Sequence, residues 1–261
     1  MRPLHVERLT GLIRALRGEK GCPWDKSQTP QSMAGYLLEE TYELLDAVNA
    51  GDPSSVCEEL GDVLFHLLFI IDCYESRGQF DLDRVIQGIT EKMTRRHPHV
   101  FGETSLETAD DVKDQWQRIK AQEKKEARDS VLGNVPRRLP ALLRALRVSE
   151  RAAGAAFDWD DISGVMDKAE EEWVEFKAEM KAEAAGSGTP DRVALEFGDI
   201  LFTLVNVARF ARLNPEEALH AATTKFEKRF RTMERQITES GKEIRSVAQS
   251  EKDALWEKAK K

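Results

Sequence analysis

The sequence has few cysteines and no long apolar run. Its three cysteines cannot all pair with one another, and none stands in a C-x-x-C spacing, so we expect reduced thiols and no zinc site. No stretch reaches the roughly 20 apolar residues of a membrane span, and the first residues lack the apolar segment of a signal peptide. We therefore expect a cytoplasmic protein with no membrane partner.

Positive charge is also scarce. Asp and Glu number 47 against 39 Lys and Arg, which gives a formal net charge of −8. Binding to nucleic acid through its phosphates needs clustered positive charge, so we expect no nucleic-acid partner. The G-x-x-x-x-G-K-[ST] loop of P-loop nucleotidases is absent, as is any legible Ser-His-Asp or Cys-His set. The isolated histidines His5, His66 and His220 are assigned structural or surface positions.

Alternating strand patterns are missing as well, whereas signals for helices are frequent. A capping residue followed by proline begins several segments, at Thr29-Pro30, Asp52-Pro53, Thr189-Pro190 and Asn214-Pro215. Glycine or proline ends others. The sequence predicts an all-α fold, with helices near 30–50, 53–77, 82–96, 108–126, 140–153, 161–185, 190–212, 215–240 and 250–260.

What the sequence does contain is an acidic pattern that occurs twice. In each copy E-E-x-x-E is followed by E-x-x-D, with a longer glycine-containing loop between the two parts in the second copy. The pattern comprises Glu40, Glu43, Glu59 and Asp62 in the first copy and Glu172, Glu175, Glu196 and Asp199 in the second. This duplication predicts two tandem repeats of one helical bundle, over residues 1–130 and 140–261, joined by a linker over 131–139.

Each copy of the pattern predicts a cluster of carboxylates. Residues three or four apart share a helix face, so two packed helices bring four carboxylates together. Their mutual repulsion favours a divalent cation, and oxygen ligands favour Mg²⁺, with Mn²⁺ as a substitute. Asp62 and Asp199 lie in apolar runs, 60–65 and 197–202, where a solvated face is hard to place. The alternative for the glutamates is a solvated helix face.

Basic and aromatic residues follow each acidic cluster at helical spacing. Trp256 and Lys260, echoed by Trp116 and Lys120, put a ring and an ammonium group on one helix face. The alternatives are solvation for the basic groups and packing for the tryptophans. Together with a divalent cation, these groups indicate a nucleoside triphosphate as ligand. The basic groups are Lys92, Arg95 and Arg96 in the first copy and Lys225, Lys228 and Arg229 in the second.

These motifs resemble those of the MazG family of nucleoside triphosphate pyrophosphohydrolases, in its two-repeat form. The resemblance also covers the segments GCPWD at 21–25, RRHPHVF at 95–101 and KFEKRF at 225–230. It implies Mg²⁺-dependent hydrolysis of NTPs and dNTPs to nucleoside monophosphate and pyrophosphate. It further implies a homodimer and a house-cleaning or stress-related role in control of the nucleotide pool.

The resemblance also assigns roles to residues, mainly in the C-terminal repeat. The Mg²⁺ ligands it implies there are Glu172, Glu175, Glu196 and Asp199. The nucleotide contacts it implies are Lys168, Arg192, Lys225, Arg229, Trp256 and Lys260. Glu171 is a candidate general base, and the N-terminal repeat is expected to be mainly a dimerising or regulatory copy. Two other functions stay open: a narrower dUTPase-like or modified-nucleotide hydrolase, and a non-catalytic nucleotide sensor or scaffold.

Overall fold

A computed structural model describes residues 3–102, eight single positions between 106 and 119, and residues 130–260. Every regular element in these parts is helical, which confirms the predicted all-α fold. The predicted helix near 108–126 falls largely outside the described residues, although 111, 112, 115, 116, 118 and 119 are helical. None of the described helices is long and apolar enough to cross a membrane.

The contacts divide the chain into two compact units, Met1–Lys125 and Glu126–Lys261, which we call the N-terminal and C-terminal units. The N-terminal unit contains α1 (Pro3–Arg17), α2 (Pro23–Ser27), α3 (Pro30–Ala50), α4 (Pro53–Glu75), α5 (Leu82–Arg96) and α6 (Pro98–Phe101). The C-terminal unit contains α7 (Ala141–Ala153), α8 (Ile162–Ala184), α9 (Pro190–Phe210), α10 (Pro215–Glu239), a 3₁₀ turn (Ile244–Ser246) and α11 (Gln249–Ala259).

The helix ends follow the local signals in the sequence. The Thr29 hydroxyl accepts the Ser32 backbone N–H while the Ser32 side chain accepts the Thr29 N–H, so both free donors at the start of α3 are satisfied. Gly51 ends this helix with φ of 71°, a left-handed conformation that favours glycine. Asn214 caps α10 with its side chain alone, which accepts the backbone N–H groups of Glu216 and Glu217.

The sequence analysis predicted no helix before residue 30, but the short α2 and the longer α1 lie there, and α1 is the larger correction. This helix lacks a capping residue before Pro3, so the usual start signal is missing. Its apolar residues Leu9, Ile13 and Leu16 are nevertheless spaced by four and three positions, which is typical of a buried helix face. Ile13 is fully buried in a core with Met33 and Phe69, so tertiary packing stabilises α1.

Each unit is built around one long helix pair. In the N-terminal unit α3 packs along α4, and α1 packs on α4. In the C-terminal unit α8 packs along α9, and α7 packs on α9. Helix α10 contacts α7, α9 and α11, and a small apolar cluster of Met233, Ile237 and Val247 joins α10 to the segment that follows it. The paired helices carry the acidic motifs.

Candidate metal and nucleotide site

The α8–α9 pair assembles the C-terminal carboxylates. Glu172 and Glu175 lie one turn apart on α8, and Glu196 faces them from α9. Each residue offers one oxygen, and these oxygens all lie within 4.8 Å of one another. Glu172 is buried, with 7% of its surface exposed, so its charge is poorly solvated. Such a group of oxygens matches the ligands that Mg²⁺ prefers.

The carboxylates of this cluster repel one another. Partial burial raises the pKa of Glu196, and repulsion from Glu175, Asp199 and Glu172 raises it further. Asp199 lies outside the group of three oxygens, yet it is close enough to affect the pKa of its neighbour. The structure thus brings together three of the four predicted ligands and leaves the fourth beside them.

Lys168 supplies part of the missing charge. Its ammonium Nζ lies 2.9 Å from Oε1 of Glu171 and 2.9 Å from Oε1 of Glu172. Hydrogen bonding to Glu171, and then to Glu172, holds the pKa of Lys168 well above its usual range. Lys168 stands one helical turn before Glu172, so a local spacing places this cation at the edge of the cluster.

The α3–α4 pair forms a matching group in the N-terminal unit. One oxygen from each of Glu40, Glu43 and Glu59 lies within 4.8 Å of the others. Partial burial raises the pKa of Glu59, and the charges of Glu43, Glu40 and Asp62 add to this effect. Both units therefore hold a cluster of three carboxylate oxygens, two from the first helix of the pair and one from the second.

His66 is a neighbour of the N-terminal cluster that the sequence analysis did not connect with it. Its Nε2 lies 3.5 Å from Oε1 of Glu40, and the residue is only 9% exposed. His66 follows Glu59 by seven positions and Asp62 by four, which puts it on the same face of α4. This spacing was the signal that would have associated the imidazole with the carboxylates.

The predicted nucleotide-binding residues are scattered in the single chain. Arg192, near the start of α9, pairs with Glu179, with 2.8 Å between Nη2 and Oε1. Lys225 is exposed on α10, and Arg229 on the same helix is half-buried. Among the described residues, α10 and α11 make no contact with α8, so the structure does not bring their side chains to the carboxylates.

The α11 residues are engaged within their own part of the unit. The Trp256 ring lies 5.1 Å from the Phe226 ring between centroids and packs against the cluster of Met233 and its neighbours. Lys260 forms an ion pair with Glu257 one turn away. Packing, the alternative considered for the tryptophan, describes Trp256 in this structure. In the N-terminal unit, Lys120 lies outside the described residues.

One sequence argument about the aspartates was wrong. The apolar runs around Asp62 and Asp199 suggested that neither carboxylate lies on a solvated face, but both residues are exposed. Their apolar neighbours are exposed with them, including Leu60 at 52% and Leu195 at 66%. An apolar run on a helix has an outer face as well as an inner one, and in the single chain these aspartates share the outer face.

The chain is similar to known proteins over nearly its whole length. Residues 28–101 match the family described as MazG nucleotide pyrophosphohydrolase domain. The chain is 41% identical over 254 residues to the nucleoside triphosphate pyrophosphohydrolase/pyrophosphatase MazG of Thermotoga maritima, covering 97% of this chain and 95% of that protein. It is 39% identical over 258 residues to the nucleoside triphosphate pyrophosphohydrolase of Escherichia coli K12, covering 98% and 97% of the two chains.

A solved structure of a mazG-related protein from Thermotoga maritima is a looser match. It is 29% identical, covers 44% of this chain and 98% of that one, and has a TM-score of 0.39. The helical fold and the near-full-length relatives together identify the class: an all-α enzyme of nucleotide hydrolysis. The chain belongs to the MazG family and is a nucleoside triphosphate pyrophosphohydrolase.

Proposed function

We propose that the C-terminal unit hydrolyses both NTPs and dNTPs to nucleoside monophosphate and pyrophosphate in a Mg²⁺-dependent reaction. The observation that carries this proposal is the group of three carboxylate oxygens within 4.8 Å of one another, contributed by Glu172, Glu175 and Glu196. Asp199 would complete the ligand set, since its charge already acts on Glu196. The donor set fits the ion because every ligand is an oxygen. Mn²⁺ would act as a substitute.

The ion would supply positive charge against the α-phosphate and lower the pKa of a coordinated water. Side chains of the protein would supply the general base and the positive charge at the leaving group. Glu171 is 57% exposed at its side chain and lies beside the cluster, which suits it to accept the proton of the attacking water. As the water oxygen bonds to the α-phosphorus, the bond from that phosphorus to the bridging oxygen breaks and pyrophosphate leaves.

Lys168 has to change partners during this reaction. In the structure its ammonium is divided between Glu171 and Glu172. A phosphate oxygen would compete for the same ammonium, which would free Glu171 as a base and place positive charge near the leaving group. Lys168 thus links nucleotide binding to the availability of the base.

A second copy of the chain would cover the exposed apolar faces, and we propose a homodimer. On α9, Phe197, Leu201 and Phe202 are 47%, 40% and 39% exposed, which is unfavourable for a chain that remains single. Residues on α10 and α11 that do not reach α8 in one chain would gain neighbours in such an assembly. Light scattering tests this directly, because a species of the 29.6 kDa chain mass would contradict the homodimer.

The activity is tested by pyrophosphate release from a panel of NTPs and dNTPs with Mg²⁺, with the nucleotide product identified by chromatography. We expect monophosphate from many bases, in line with a house-cleaning role in the nucleotide pool. The wild type is compared with Asp199→Asn and with the matched Asp62→Asn. Loss in the first variant alone would support the C-terminal unit as the main catalytic unit, whereas loss in the second alone would contradict it.

The same panel separates the two alternatives. Turnover of one pyrimidine or one modified nucleotide alone would favour the narrower hydrolase. Binding of metal and nucleotide without turnover of any substrate would favour the sensor or scaffold. Location in the cytoplasm stays a prediction from the sequence.

A further inference from the structure

Glu179 and Arg192 form an ion pair at one end of the C-terminal carboxylate cluster. Glu179 stands one helical turn after Glu175 on α8, and Arg192 stands one turn before Glu196 on α9. Nη2 of the arginine lies 2.8 Å from Oε1 of the glutamate. Partial burial and the other carboxylates raise the pKa of Glu196, and the charge of Glu179 adds to this effect. The ion pair therefore lies within electrostatic reach of the cluster.

The two partners of this ion pair differ in exposure. The side chain of Glu179 is 15% exposed, whereas that of Arg192 is 63% exposed. Oε2 of Glu179 is buried and has no hydrogen-bond partner in the described parts of the chain. A buried carboxylate oxygen without a partner is unfavourable, so stability alone gives a poor reason for a glutamate at this position. The contact engages only Nη2 of a guanidinium that has five N–H donors.

Helix capping does not account for the arginine either. Arg192 is the third residue of α9, and the start of a helix favours negative charge, often a glutamate at this position. The backbone N–H of Arg192 donates to the Thr189 hydroxyl, with 3.3 Å between the nitrogen and Oγ1. Its side chain instead reaches across to α8. The arginine thus occupies a position where the local rules favour the opposite charge.

The N-terminal unit has no such ion pair. At the same distances from its two acidic motifs, the equivalent positions hold Ala47 and Ser55. Ala47 is buried, and the Ser55 hydroxyl donates to the Asp52 carboxylate, which caps α4. The α3–α4 pair packs closely with these residues in place. An ion pair at this level is therefore not required to hold such a pair of helices together.

The location of Arg192 suits contact with the phosphates of a nucleotide. Its planar guanidinium matches phosphate oxygens, and it stands one turn from a carboxylate of the cluster that would hold the cation. An exposed arginine has many side-chain conformations, and ordering it on binding is entropically costly. A carboxylate fixed by burial, such as that of Glu179, would hold one edge of the guanidinium and leave the other N–H groups available.

On the basis of the function proposed for the C-terminal unit, we propose that Glu179 is a positioning residue. It holds the guanidinium of Arg192 beside the cluster, where the remaining N–H groups donate to the phosphates of the bound nucleotide. Glu179 itself contacts neither the cation nor the nucleotide. Charge alone has the opposite effect, because removal of a carboxylate near a polyanionic ligand should strengthen its binding. The sign of the change in affinity therefore separates positioning from simple repulsion.

The test measures binding in the full chain with Glu40→Gln and Glu43→Gln, which disable the N-terminal cluster. Calorimetric titration with Mg²⁺ uses the non-hydrolysable α,β-methylene analogue of dATP. Arg192→Ser and Glu179→Ala each copy the N-terminal unit. Arg192→Ser should weaken binding by about 10-fold, as for a lost charge-assisted contact, and Glu179→Ala by about 5-fold.

Three further variants complete the design. In the Arg192→Ser protein, Glu179→Ala should change the affinity by less than about twofold, because a positioning residue acts only through its partner. Glu179→Gln keeps an acceptor for the guanidinium and should bind the analogue better than Glu179→Ala. Glu183→Ala removes an exposed carboxylate one turn further along α8 and should leave the affinity within about twofold.

Steady-state kinetics in the otherwise unchanged chain provides a second readout. Glu179→Ala should raise KM for dATP by about 5-fold and leave kcat within about twofold, since the contact holds substrate and transition state alike. A merely structural role would instead lower the melting temperature and reduce kcat.

Three results would overturn the proposal. The first is unchanged or tighter binding of the analogue in Glu179→Ala. The second is a further loss of about 5-fold when Glu179→Ala is added to Arg192→Ser, which would assign Glu179 to packing. The third is absence of analogue binding in the starting protein. Because binding is measured apart from turnover, the expected pattern of affinities without pyrophosphate release would reject the proposed function and leave the positioning role supported.

Discussion

The two units place different neighbours around the same kind of acidic cluster. In the C-terminal unit, Glu172 is paired with the ammonium of Lys168 on its own helix. In the N-terminal unit, Glu40 faces the imidazole of His66 from the adjoining helix, and Tyr36 stands where the lysine would be. The carboxylates depend only on helical spacing and one helix pairing, so the residues around them can change without loss of the cluster.

A second difference concerns the ion pairs that join the packed helices. In the N-terminal unit Arg14 and Arg17 of α1 pair with Asp72 of α4. In the C-terminal unit the position equivalent to Asp72, ten residues after the E-x-x-D aspartate, is Arg209, which donates through Nε to the Ser149 hydroxyl of α7 at 2.7 Å. The long helix thus carries an acid in the first unit and a base in the second, and the packed helix answers with arginines in the first and a serine hydroxyl in the second.

The largest effect should come from breaking one cluster at a time. We expect Glu172→Gln to lower pyrophosphate release by about 100-fold or more, because it removes a predicted metal ligand from the C-terminal cluster. The matched Glu40→Gln should stay within about threefold. The initial rates are measured at saturating Mg²⁺ and nucleotide, with circular dichroism as a control for folding. A larger loss of rate in Glu40→Gln than in Glu172→Gln would assign catalysis to the N-terminal unit.

Substitution of Lys168 tests whether its positive charge contributes to activity at the C-terminal cluster. Lys168→Met should lower kcat/KM by about 10-fold, since one charge-assisted hydrogen bond to the nucleotide would be lost. Lys177→Met is the control, because Lys177 lies on the same helix but contacts the ring of Trp173. Steady-state kinetics with dATP provides the measurement. Equal effects in the two variants would show that Lys168 has no special role.

The ion pair at Arg209 should matter for stability more than its exposed counterpart at Arg14. Arg209 hydrogen-bonds Asp158, with 2.9 Å between Nη1 and Oδ2, and this contact lowers the pKa of Asp158. Because the pKa of Asp158 is lower in the folded protein, this group stabilises the fold at pH values above the pKa it has in the unfolded chain. The stabilisation is lost as the pH falls through the pKa of Asp158 in the folded protein.

Asp158→Asn should therefore cost about 1 kcal/mol at pH 7, a value reduced for partial exposure, and almost nothing near pH 2. Glu75→Gln, which removes the partner of the more exposed Arg14, should cost less than Asp158→Asn at pH 7. Chemical denaturation at several pH values measures both. A pH-independent loss in Asp158→Asn would contradict the electrostatic cause.

The smallest effect concerns repulsion within the clusters. The raised pKa of Glu196 means that the folded protein binds this proton more tightly than the unfolded chain does. The carboxylate thus opposes folding above the raised pKa, and the penalty disappears as the pH falls through that value. Glu196→Gln should raise the melting temperature by about one or two degrees at pH 8 in EDTA, with no gain near pH 3.

With Mg²⁺ at pH 8 the wild type should instead have the higher melting temperature of the two. Only the wild type keeps the complete ligand set, so it gains more stability from the ion than Glu196→Gln does. The matched Glu59→Gln probes the N-terminal cluster, where the pKa of Glu59 is raised in the same way. Differential scanning calorimetry measures both variants. A wild type that is unaffected by Mg²⁺ would contradict metal binding at both clusters.

Much of the fold could be predicted because its signals are local. Helix α3 was predicted to span 30–50 and does so, since Thr29, Pro30 and Gly51 fix its two ends through neighbouring backbone groups. Helix α1 was missed because it has no capping residue, and its stability comes from Ile13 in the core. The clusters were predictable in composition, because i and i+3 positions share a face in any helix.

The surroundings of the clusters were not predictable in this way. The exposure of Asp62 and Asp199 depends on which face of each helix turns inward, and an apolar run does not specify it. His66 contacts Glu40 and the ring of Tyr36, and the Tyr36 ring contacts that of Trp24. These contacts bring together residues of three helices, so no local pattern in the sequence specifies them.

The sequence by itself determined the all-α class, most helix ends, the two acidic patterns and the family resemblance, because capping and helical periodicity act between residues close along the chain. The tertiary structure alone decided which groups neutralise or border each cluster, which aspartates face solvent and which rings line up beside the carboxylates. Those properties arise from contacts between residues far apart in sequence, whose geometry exists only after the helices have packed.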